Sequence, residues 1–184
     1  MEEFPEILRF VCSYLNEREI RFVVVGGVAV MYHGVPRTTV DIDLIVQFDD
    51  AMIPAFVDFL DSKGFAASVE DLRAALDEES HCTFFYKKSL LRLDIQGVNS
   101  EFDKMTLDRA ISVDLLGASV MIGSAEDTIV NKILFQGEQD MRDALGILAR
   151  NSENLDFGYI QSACALLGIQ DHLDQFLTDY ENKL

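Results

Sequence analysis

The stretch that decides the fold runs from Phe22 to Val46 and reads FVVVGGVAVMYHGVPRTTVDIDLIV. Its first four residues are an apolar, mostly β-branched run that ends at the glycine pair Gly26-Gly27. β-Branched residues favour strands, and a glycine pair after such a run is typical of a tight turn. A short apolar segment with helical character follows, and residues 40–46 form a second apolar run. The pattern therefore predicts a strand–helix–strand unit.

The second predicted strand carries two acidic residues on one face. Alternate residues of a strand share a face, so Asp41 and Asp43 lie together, opposite the apolar residues. The apolar face consists of Val40, Ile42, Leu44 and Val46. Neighbouring carboxylates repel each other and are costly to bury unless a cation compensates their charge. Because hard divalent cations bind carboxylate oxygens together with phosphate oxygens, the pair predicts a site for a metal such as Mg²⁺.

The composition limits the classes of function. The chain has 184 residues, of which 49% are hydrophobic, enough for one domain or a domain with a small helical appendage. The formal net charge of −17 argues against free-standing binding to nucleic acid or to an anionic membrane. A nucleotide is not excluded, because it needs only a local cluster of donors and a metal. The first ten residues lack a basic n-region and no apolar run reaches bilayer length, so we expect a cytoplasmic protein.

The three cysteines, Cys12, Cys82 and Cys164, give no sign of a disulfide or a zinc site. Their number is odd and none of them belongs to a CxxC pair. We therefore expect three free, buried thiols rather than a disulfide framework.

The rest of the chain predicts an α/β core up to residue 123 and helices alone after it. Helices are predicted over residues 3–18, 51–63, 69–78 and 101–109, and strands over 83–86, 90–95, 111–115 and 119–122. Beyond Ser124, which with Asp127 resembles a capping box, helices are predicted over 125–135, 139–149, 157–167 and 170–180. The expected fold class is α/β (α+β), with a mixed sheet flanked by helices. The expected division is a core over 1–123 and a C-terminal helical segment, 124–184, packed on it.

The glycine pair favours binding of an anion at the strand–helix junction. Without Cβ atoms, the backbone at Gly26 and Gly27 can approach a ligand closely, and the N–H groups at a helix start suit phosphate. Arg37 and Thr38, just before the second strand, add a cation and a hydroxyl on the same side. A later strand places Asp94 on the face opposite its apolar residues. Together these residues predict a site for a phosphate-bearing ligand and a metal.

The glycine pair, thirteen intervening residues and then Asp-Ile-Asp (41–43) resemble the signature of the polymerase-β-like nucleotidyltransferase superfamily. The variant Arg-Thr-Thr-Val-Asp-Ile-Asp over 37–43 is similar to its small prokaryotic members, which include AbiEii-type, minimal and antibiotic nucleotidyltransferases. The family has a third carboxylate on a later strand, and Asp94 stands where it is expected. Residues 124–143 are similar to the helical segment that follows the core in many members. The resemblance covers residues 20–150 and implies a mixed-sheet nucleotidyltransferase core.

The resemblance implies a role for each acidic candidate. Asp41 and Asp43 would hold two Mg²⁺ ions, or Mn²⁺ in their place, which also bind the nucleoside triphosphate. Asp94 would ligate the second ion and help to deprotonate an attacking hydroxyl. In such a two-metal displacement the ions stabilise both the attacking and the leaving oxygens.

The resemblance also implies which residues bind the triphosphate. Gly26 and Gly27 would bind the β- and γ-phosphates. Many relatives have Ser at the second position of this pair, so here binding rests on backbone N–H groups. Arg37, with Thr38 beside it, would neutralise phosphate charge, and Lys132 would reach the triphosphate from the helical segment.

The implied activity is transfer of a nucleoside monophosphate, most often AMP from ATP, to a hydroxyl of a small molecule, protein or RNA, with release of pyrophosphate. An alternative is a non-catalytic or regulatory partner in a toxin–antitoxin or phage-defence system, in which the acidic surface and helical segment would dock to a basic protein. A third interpretation is a domain that senses nucleotides without catalysis.

Every candidate also has a purely structural interpretation. Asp41 and Asp43 would then be solvated residues of an edge strand, and Asp94 a surface carboxylate. Arg37 would form a salt bridge to one of the aspartates. Lys132 lies with Arg142 and Asp143 at helical spacings where surface charge pairs are common.

Overall fold

The computed structural model describes residues 3–182 and shows a six-stranded mixed sheet flanked by helices over that range. The strands are β1 (Arg21–Val25), β2 (Asp41–Gln47), β3 (His81–Phe85), β4 (Arg92–Gln96), β5 (Ile111–Leu115) and β6 (Ala118–Ile122). The helices of the core are α1 (Glu3–Glu17), α2 (Gly26–His33), α3 (Ile53–Lys63), α4 (Val69–Asp77) and α5 (Glu101–Asp108), with a 3₁₀ turn at Asp50–Met52. The C-terminal helices are α6 (Ala125–Phe135), α7 (Glu138–Asn151), α8 (Phe157–Leu167) and α9 (Gln170–Glu181). The predicted α/β (α+β) class with a mixed sheet is confirmed.

The strand order in the sheet is β3-β4-β2-β1-β6-β5. Strand β2 is antiparallel to β1 and parallel to β4, while β1 is parallel to β6. The two outer pairs, β3 with β4 and β5 with β6, are antiparallel hairpins. The aspartate-bearing strand therefore has a neighbour on each side, and the interpretation of its aspartates as residues of an edge strand is wrong.

The two faces of β2 bury different kinds of residue. Ile42, Leu44 and Val46 belong to the main hydrophobic core, which lies between the sheet and helices α1, α3 and α4. On the other face, Ile45 packs with Leu107 of α5 in a small apolar cluster. Because side chains alternate along a strand, Asp41 and Asp43 share this second face. The main core thus packs against one face of the sheet. The aspartates lie on the other face, towards α2 and the C-terminal helices.

Helices α6 to α9 share a second hydrophobic cluster with two residues of the preceding part of the chain, Val30 of α2 and Phe102 of α5. Polar contacts add to this packing. Arg150 donates to the Gly34 carbonyl at 2.9 Å, and Asn151 Nδ2 donates to the His33 carbonyl at 2.7 Å. These contacts fix the C-terminal helices against the end of α2, which follows the glycine pair.

Helix α6 begins with the Ser124 half of the predicted capping box, while the Asp127 carboxylate accepts from the Ser124 hydroxyl rather than completing the box. The Ser124 hydroxyl oxygen accepts a hydrogen bond from the backbone N–H of Asp127 at 3.1 Å. The same hydroxyl donates to the Asp127 carboxylate at 2.7 Å, so the two side chains are locked together. This cap sets the start of the helix that carries Lys132.

The three cysteines are free and buried, as expected. Burial raises the pKa of the Cys12 thiol to about 12 and that of Cys82 to about 11.

Among residues 3–182, no helix combines the length and the apolar character that crossing a bilayer requires.

Candidate active site

Strands β2 and β4 bring three carboxylates together. The parallel pairing sets Asp43 opposite Asp94, and Asp41 shares their face of the sheet. One oxygen from each of Asp41, Asp43 and Asp94 can be chosen so that all three lie within 4.8 Å of one another. All three residues are half-buried. An all-oxygen set of three carboxylates suits a hard divalent cation such as Mg²⁺ or Mn²⁺, so the residues present fit the metal that the fold implies.

Arg92 joins two of these carboxylates. Its Nη2 lies 2.8 Å from Oδ2 of Asp41, and its Nε lies 3.0 Å from Oδ2 of Asp94. Sequence reasoning missed this residue. Arg92 stands two positions before Asp94, so the alternation of β4 alone puts both side chains on the same face.

Two threonines and one backbone group donate hydrogen bonds to Oδ1 of Asp41 and Oδ1 of Asp94. Oδ1 of Asp41 accepts from the Thr39 hydroxyl at 3.0 Å and from the Val40 N–H at 3.1 Å. Oδ1 of Asp94 accepts a short hydrogen bond, 2.5 Å, from the hydroxyl of Thr83 on β3. Supporting hydrogen bonds of this kind orient carboxylates at metal sites.

Asp43 is the carboxylate with the most perturbed proton affinity. Burial, and then the neighbouring charges of Asp41 and Asp94, raise its pKa from 3.8 to about 6. A hydrogen bond from the Gly27 N–H and the charge of Lys132 act in the opposite direction. A carboxylate whose pKa is raised in this way marks a position where a further positive charge would be stabilising.

The glycine pair lies directly against the carboxylate cluster. Gly26 has φ +58°, and a Cβ built on it would lie 2.1 Å from Oδ2 of Asp43. A Cβ at Gly27 would lie 2.7 Å from Oγ1 of Thr39. Helix α2 begins at Gly26, so its first N–H groups open beside the carboxylates. A side chain at Gly26 would therefore displace the Asp43 carboxylate, and one at Gly27 would displace the Thr39 hydroxyl.

A cavity of about 320 Å³ opens between the glycine pair and helix α6. Of the residues that the sequence predicts for the site, its wall includes Gly26, Gly27, Arg37, Asp41, Asp43 and Lys132. Asp94 lines an adjoining pocket of about 310 Å³, together with Asp41, Asp43 and Arg92. Thr38 is exposed and is not part of the cavity wall, where Thr39 stands instead. The volume is at the lower end of the range for small-molecule sites.

One stripe of helix α6 forms the opposite wall of the cavity. It consists of Thr128, Asn131, Lys132 and Phe135. These positions are three or four residues apart and so face the same side of a helix. Sequence reasoning found only Lys132 on this stripe. The helical spacing would have identified the other three once Lys132 was taken as facing the site.

Both basic residues of the cavity wall are paired with carboxylates of α7. Arg37 reaches Asp143 through Nε at 3.1 Å and Nη2 at 3.0 Å, and the Asp143 side chain is only 4% exposed. Lys132 Nζ lies 2.6 Å from Asp140 and 3.7 Å from Asp143. The alternative prediction for Arg37, a salt bridge to one of the site aspartates, is wrong in its partner: Arg37 is paired with Asp143 of the helical segment instead. The two cations are held at the cavity by the helical segment.

A glycine junction beside three carboxylates on a mixed sheet is the arrangement expected of a nucleotidyltransferase, and the family comparison agrees. Residues 6–165 match the family described as "Nucleotidyltransferase of unknown function (DUF6036)". The chain belongs to this family. A comparison with curated protein sequences gives no match.

Comparison with solved structures gives likenesses at low sequence identity. An antigenic nucleotidyltransferase-like protein from Paracoccidioides brasiliensis has 18% identity and a TM-score of 0.60, over 97% of this chain and 93% of that one. ANT(2″)-Ia in complex with adenylyl-2″-tobramycin has 13% identity and a TM-score of 0.47, over 100% and 99% of the two chains. At 18% identity the first likeness shows the fold alone.

Proposed function

We propose that the protein is a metal-dependent nucleotidyltransferase that moves a nucleoside monophosphate, AMP most readily, from a nucleoside triphosphate to a hydroxyl acceptor. The observation that carries this proposal is the convergence of Asp41, Asp43 and Asp94 beside a cavity that begins at the glycine pair. Membership of a nucleotidyltransferase family supports the reaction class. The acceptor is a small molecule, a protein or an RNA.

Each group of the site has a part in the proposed reaction. Asp41, Asp43 and Asp94 would hold Mg²⁺ or Mn²⁺, which supplies Lewis-acid stabilisation of the phosphoryl and leaving oxygens when bound. The N–H groups of Gly26 and Gly27 would bind the β- and γ-phosphates. In the transfer, a bond forms between the acceptor oxygen and the α-phosphorus, and the bond from that phosphorus to the bridging oxygen breaks. Pyrophosphate leaves, and the acceptor proton passes to a carboxylate, for which we propose Asp94.

Arg37 and Lys132 would balance the negative charge of the triphosphate. Both line the cavity, and both already face the carboxylates of α7. A triphosphate carries more negative charge than the two α7 carboxylates. Arg37 and Lys132 can therefore bind it from their positions in the cavity wall. Thr38 remains a predicted contact, and its position outside the cavity wall favours Thr39 in that role.

The test is calorimetric titration of ATP, GTP, CTP and UTP, each with Mg²⁺, against the wild type and the Asp41→Asn/Asp43→Asn variant. We expect metal-dependent binding of ATP that the double variant loses. The matched control, Asp58→Asn/Asp61→Asn, removes two exposed charges from α3 and should bind as the wild type does. Binding that survives the loss of both site aspartates would contradict the proposal, as would a wild type that binds none of the four nucleotides.

A second function rests on the surface charge. The net charge of −17 suits docking to a basic protein, as expected of a regulatory, AbiEii-like component of a toxin–antitoxin or phage-defence system. Here we expect a stable complex with the product of a neighbouring gene in a native pull-down. A monomer or homodimer alone would count against it. Retention of this complex by Asp41→Asn/Asp43→Asn would separate docking from catalysis.

A further inference from the structure

We propose that Arg92 competes with divalent cations for the carboxylate cluster, so that a metal ion gains its full set of ligands only when the guanidinium is displaced. The inference rests on the proposed function, because it concerns the same carboxylates. It adds a control of metal affinity that the chain itself carries on β4.

Every carboxylate oxygen of Asp41 and Asp94 accepts at least one hydrogen bond. Arg92 takes Oδ2 of both Asp41 and Asp94. Thr39 and the Val40 N–H take Oδ1 of Asp41, and Thr83 takes Oδ1 of Asp94, as described above. The threonine and backbone donors are neutral and leave the charge of the carboxylates uncompensated. The guanidinium is different, because it lies where a cation shared by the two carboxylates would lie and carries the same sign of charge.

The register of the sheet explains why an arginine stands at this position. Asp43 lies directly opposite Asp94, and like charges in such a pair are destabilising. Arg92 lies opposite Asp41 in the same ladder, so its charge offsets the repulsion within the cluster. The pairing raises the pKa of the guanidinium, first through its hydrogen bond to Asp94. The pairing of β2 with β4 therefore places a cation of the chain itself within the carboxylate cluster.

The side chain of Arg92 can turn towards solvent. It is 35% exposed and lines the adjoining pocket of about 310 Å³, not the cavity beside the glycine pair. Arg92 forms ion pairs with Asp41 and Asp94, and none with Asp43 is found among the described residues. A divalent cation can thus bind Asp43 first and draw in the other two carboxylates as the guanidinium turns towards solvent.

The experiment measures Mn²⁺ affinity by electron paramagnetic resonance of free Mn²⁺, without nucleotide, near pH 8. Three variants are compared with the wild type: Arg92→Gln, Arg92→Lys and the control Arg73→Gln. Arg73 also holds an aspartate through two nitrogens, at 3.0 and 3.4 Å from Asp50, but on the exposed side of α4. We expect Arg92→Gln to bind Mn²⁺ about tenfold more tightly than the wild type. Arg73→Gln should bind as the wild type does.

Arg92→Lys separates bridging from charge. Lysine keeps the positive charge but cannot engage two carboxylates through a planar fork. We expect its Mn²⁺ affinity to lie between those of the wild type and Arg92→Gln. A value equal to that of the wild type would mean that net charge alone sets the affinity, and the displacement proposal would be overturned.

Thermal unfolding gives a second measurement that does not need a fully stable variant. Without metal, Arg92→Gln should unfold at a lower temperature than the wild type, because repulsion in the cluster is no longer offset. A fixed excess of Mn²⁺ should then raise its unfolding temperature by more than it raises that of the wild type.

The outcomes distinguish this inference from the proposed function. If the wild type binds Mn²⁺ and Arg92→Gln binds it equally or more weakly, Arg92 positions the carboxylates for metal and the competition is disproved, while the metal site stands. If neither protein binds Mn²⁺, the metal site of the proposed function fails, and this inference fails with it.

Discussion

A Cβ atom at Gly26 would lie 2.1 Å from Oδ2 of Asp43, a separation that no real pair of such atoms adopts. The strand–helix junction and the carboxylate cluster are therefore in direct contact across β1 and β2. The register of the sheet requires this, because Val25, the last residue of β1, pairs with Asp43. A ligand bound by the N–H groups of the junction consequently lies next to whatever the carboxylates bind.

We expect Gly26→Ala to lose at least tenfold in metal-dependent ATP affinity, because the new methyl group must push the Asp43 carboxylate out of the cluster. The positive φ of Gly26 adds a cost of about 1 kcal/mol in stability. Gly117→Ala is the matched control, since Gly117 has φ +75° but nothing within 4 Å of its Cβ position. Urea unfolding should show a similar backbone cost in both, and calorimetry should show lost binding in Gly26→Ala alone. Binding at wild-type strength in Gly26→Ala would contradict the contact.

Asp43→Asn should be more stable than the wild type at neutral pH. The pKa of Asp43 is raised from 3.8 to about 6 in the folded state, so above pH 6 folding carries the cost of an ionised, buried carboxylate. Replacement by the neutral amide removes that cost, which we expect to be about 1–3 kcal/mol. The gain in stability should shrink as the pH falls from 6 towards 3.8. In this range the Asp43 carboxyl of the folded wild type becomes protonated, so folding no longer buries a charge at this position. Urea unfolding across this range measures it.

The same variant should lose metal-dependent nucleotide binding at every pH in that series. Asp58→Asn, on the exposed face of α3, is the control and should change neither stability nor binding. A loss of stability in Asp43→Asn at neutral pH would mean that the carboxylate is compensated by its neighbours more fully than its raised pKa implies.

The buried ion pair between Arg37 and Asp143 should matter for folding. Asp143→Asn leaves the Arg37 guanidinium and the Lys132 ammonium, both half-buried, with less compensation, and we expect a loss of about 2–4 kcal/mol in unfolding free energy. Glu138→Gln provides a control on the same helix. Glu138 pairs with Arg142 in an exposed i,i+4 contact, and its loss should cost about 0.5 kcal/mol or less. Equal costs in the two variants, measured by urea unfolding, would show that the Asp143 pair contributes no more than a surface pair.

The alternation of the strands predicted the face on which each aspartate lies and the family resemblance placed Asp94 with the other two, whereas the partners of these carboxylates depend on the pairing of distant segments. Period-two patterns on two strands gave the faces of Asp41, Asp43 and Asp94, and the resemblance gave their grouping. The same period would have favoured Thr39 over Thr38, because Thr39 is two residues from Asp41, and a shift of one residue turns a side chain to the other face. The partner of Arg37 lies 106 residues away on α7. No local pattern encodes that contact, since it depends on how α7 packs against α2.

The role of Arg92 illustrates a second limit of sequence reasoning. Its face on β4 could be read from the sequence, but its contact with Asp41 depends on the choice of β2 as the parallel neighbour of β4. An opposite register, or another neighbour, would have left it as a surface arginine. Local patterns therefore predict which side chains share a face, and tertiary pairing decides which charges meet.

Lys132 offers the sharpest separation of nucleotide binding from metal binding. Its side chain is 13% exposed, it lines the cavity, and its charge lowers the pKa of Asp43. We expect Lys132→Met to weaken binding of ATP with Mg²⁺ about tenfold near pH 8, because the triphosphate loses a partly buried cation. Mn²⁺ affinity without nucleotide should stay close to that of the wild type there, since Asp43 is ionised in both proteins. Near pH 6 it should fall, because removal of the nearby charge raises the pKa of Asp43 further.

Lys104→Met, which removes an exposed charge from α5, should leave both affinities unchanged at both pH values. Calorimetry with ATP and paramagnetic resonance with Mn²⁺ give the two affinities independently. An unchanged ATP affinity in Lys132→Met would restrict Lys132 to its ion pairs with Asp140 and Asp143. An equal loss of Mn²⁺ binding near pH 8 would instead mean that Lys132 acts through the carboxylates, and the triphosphate contact would have to be given up.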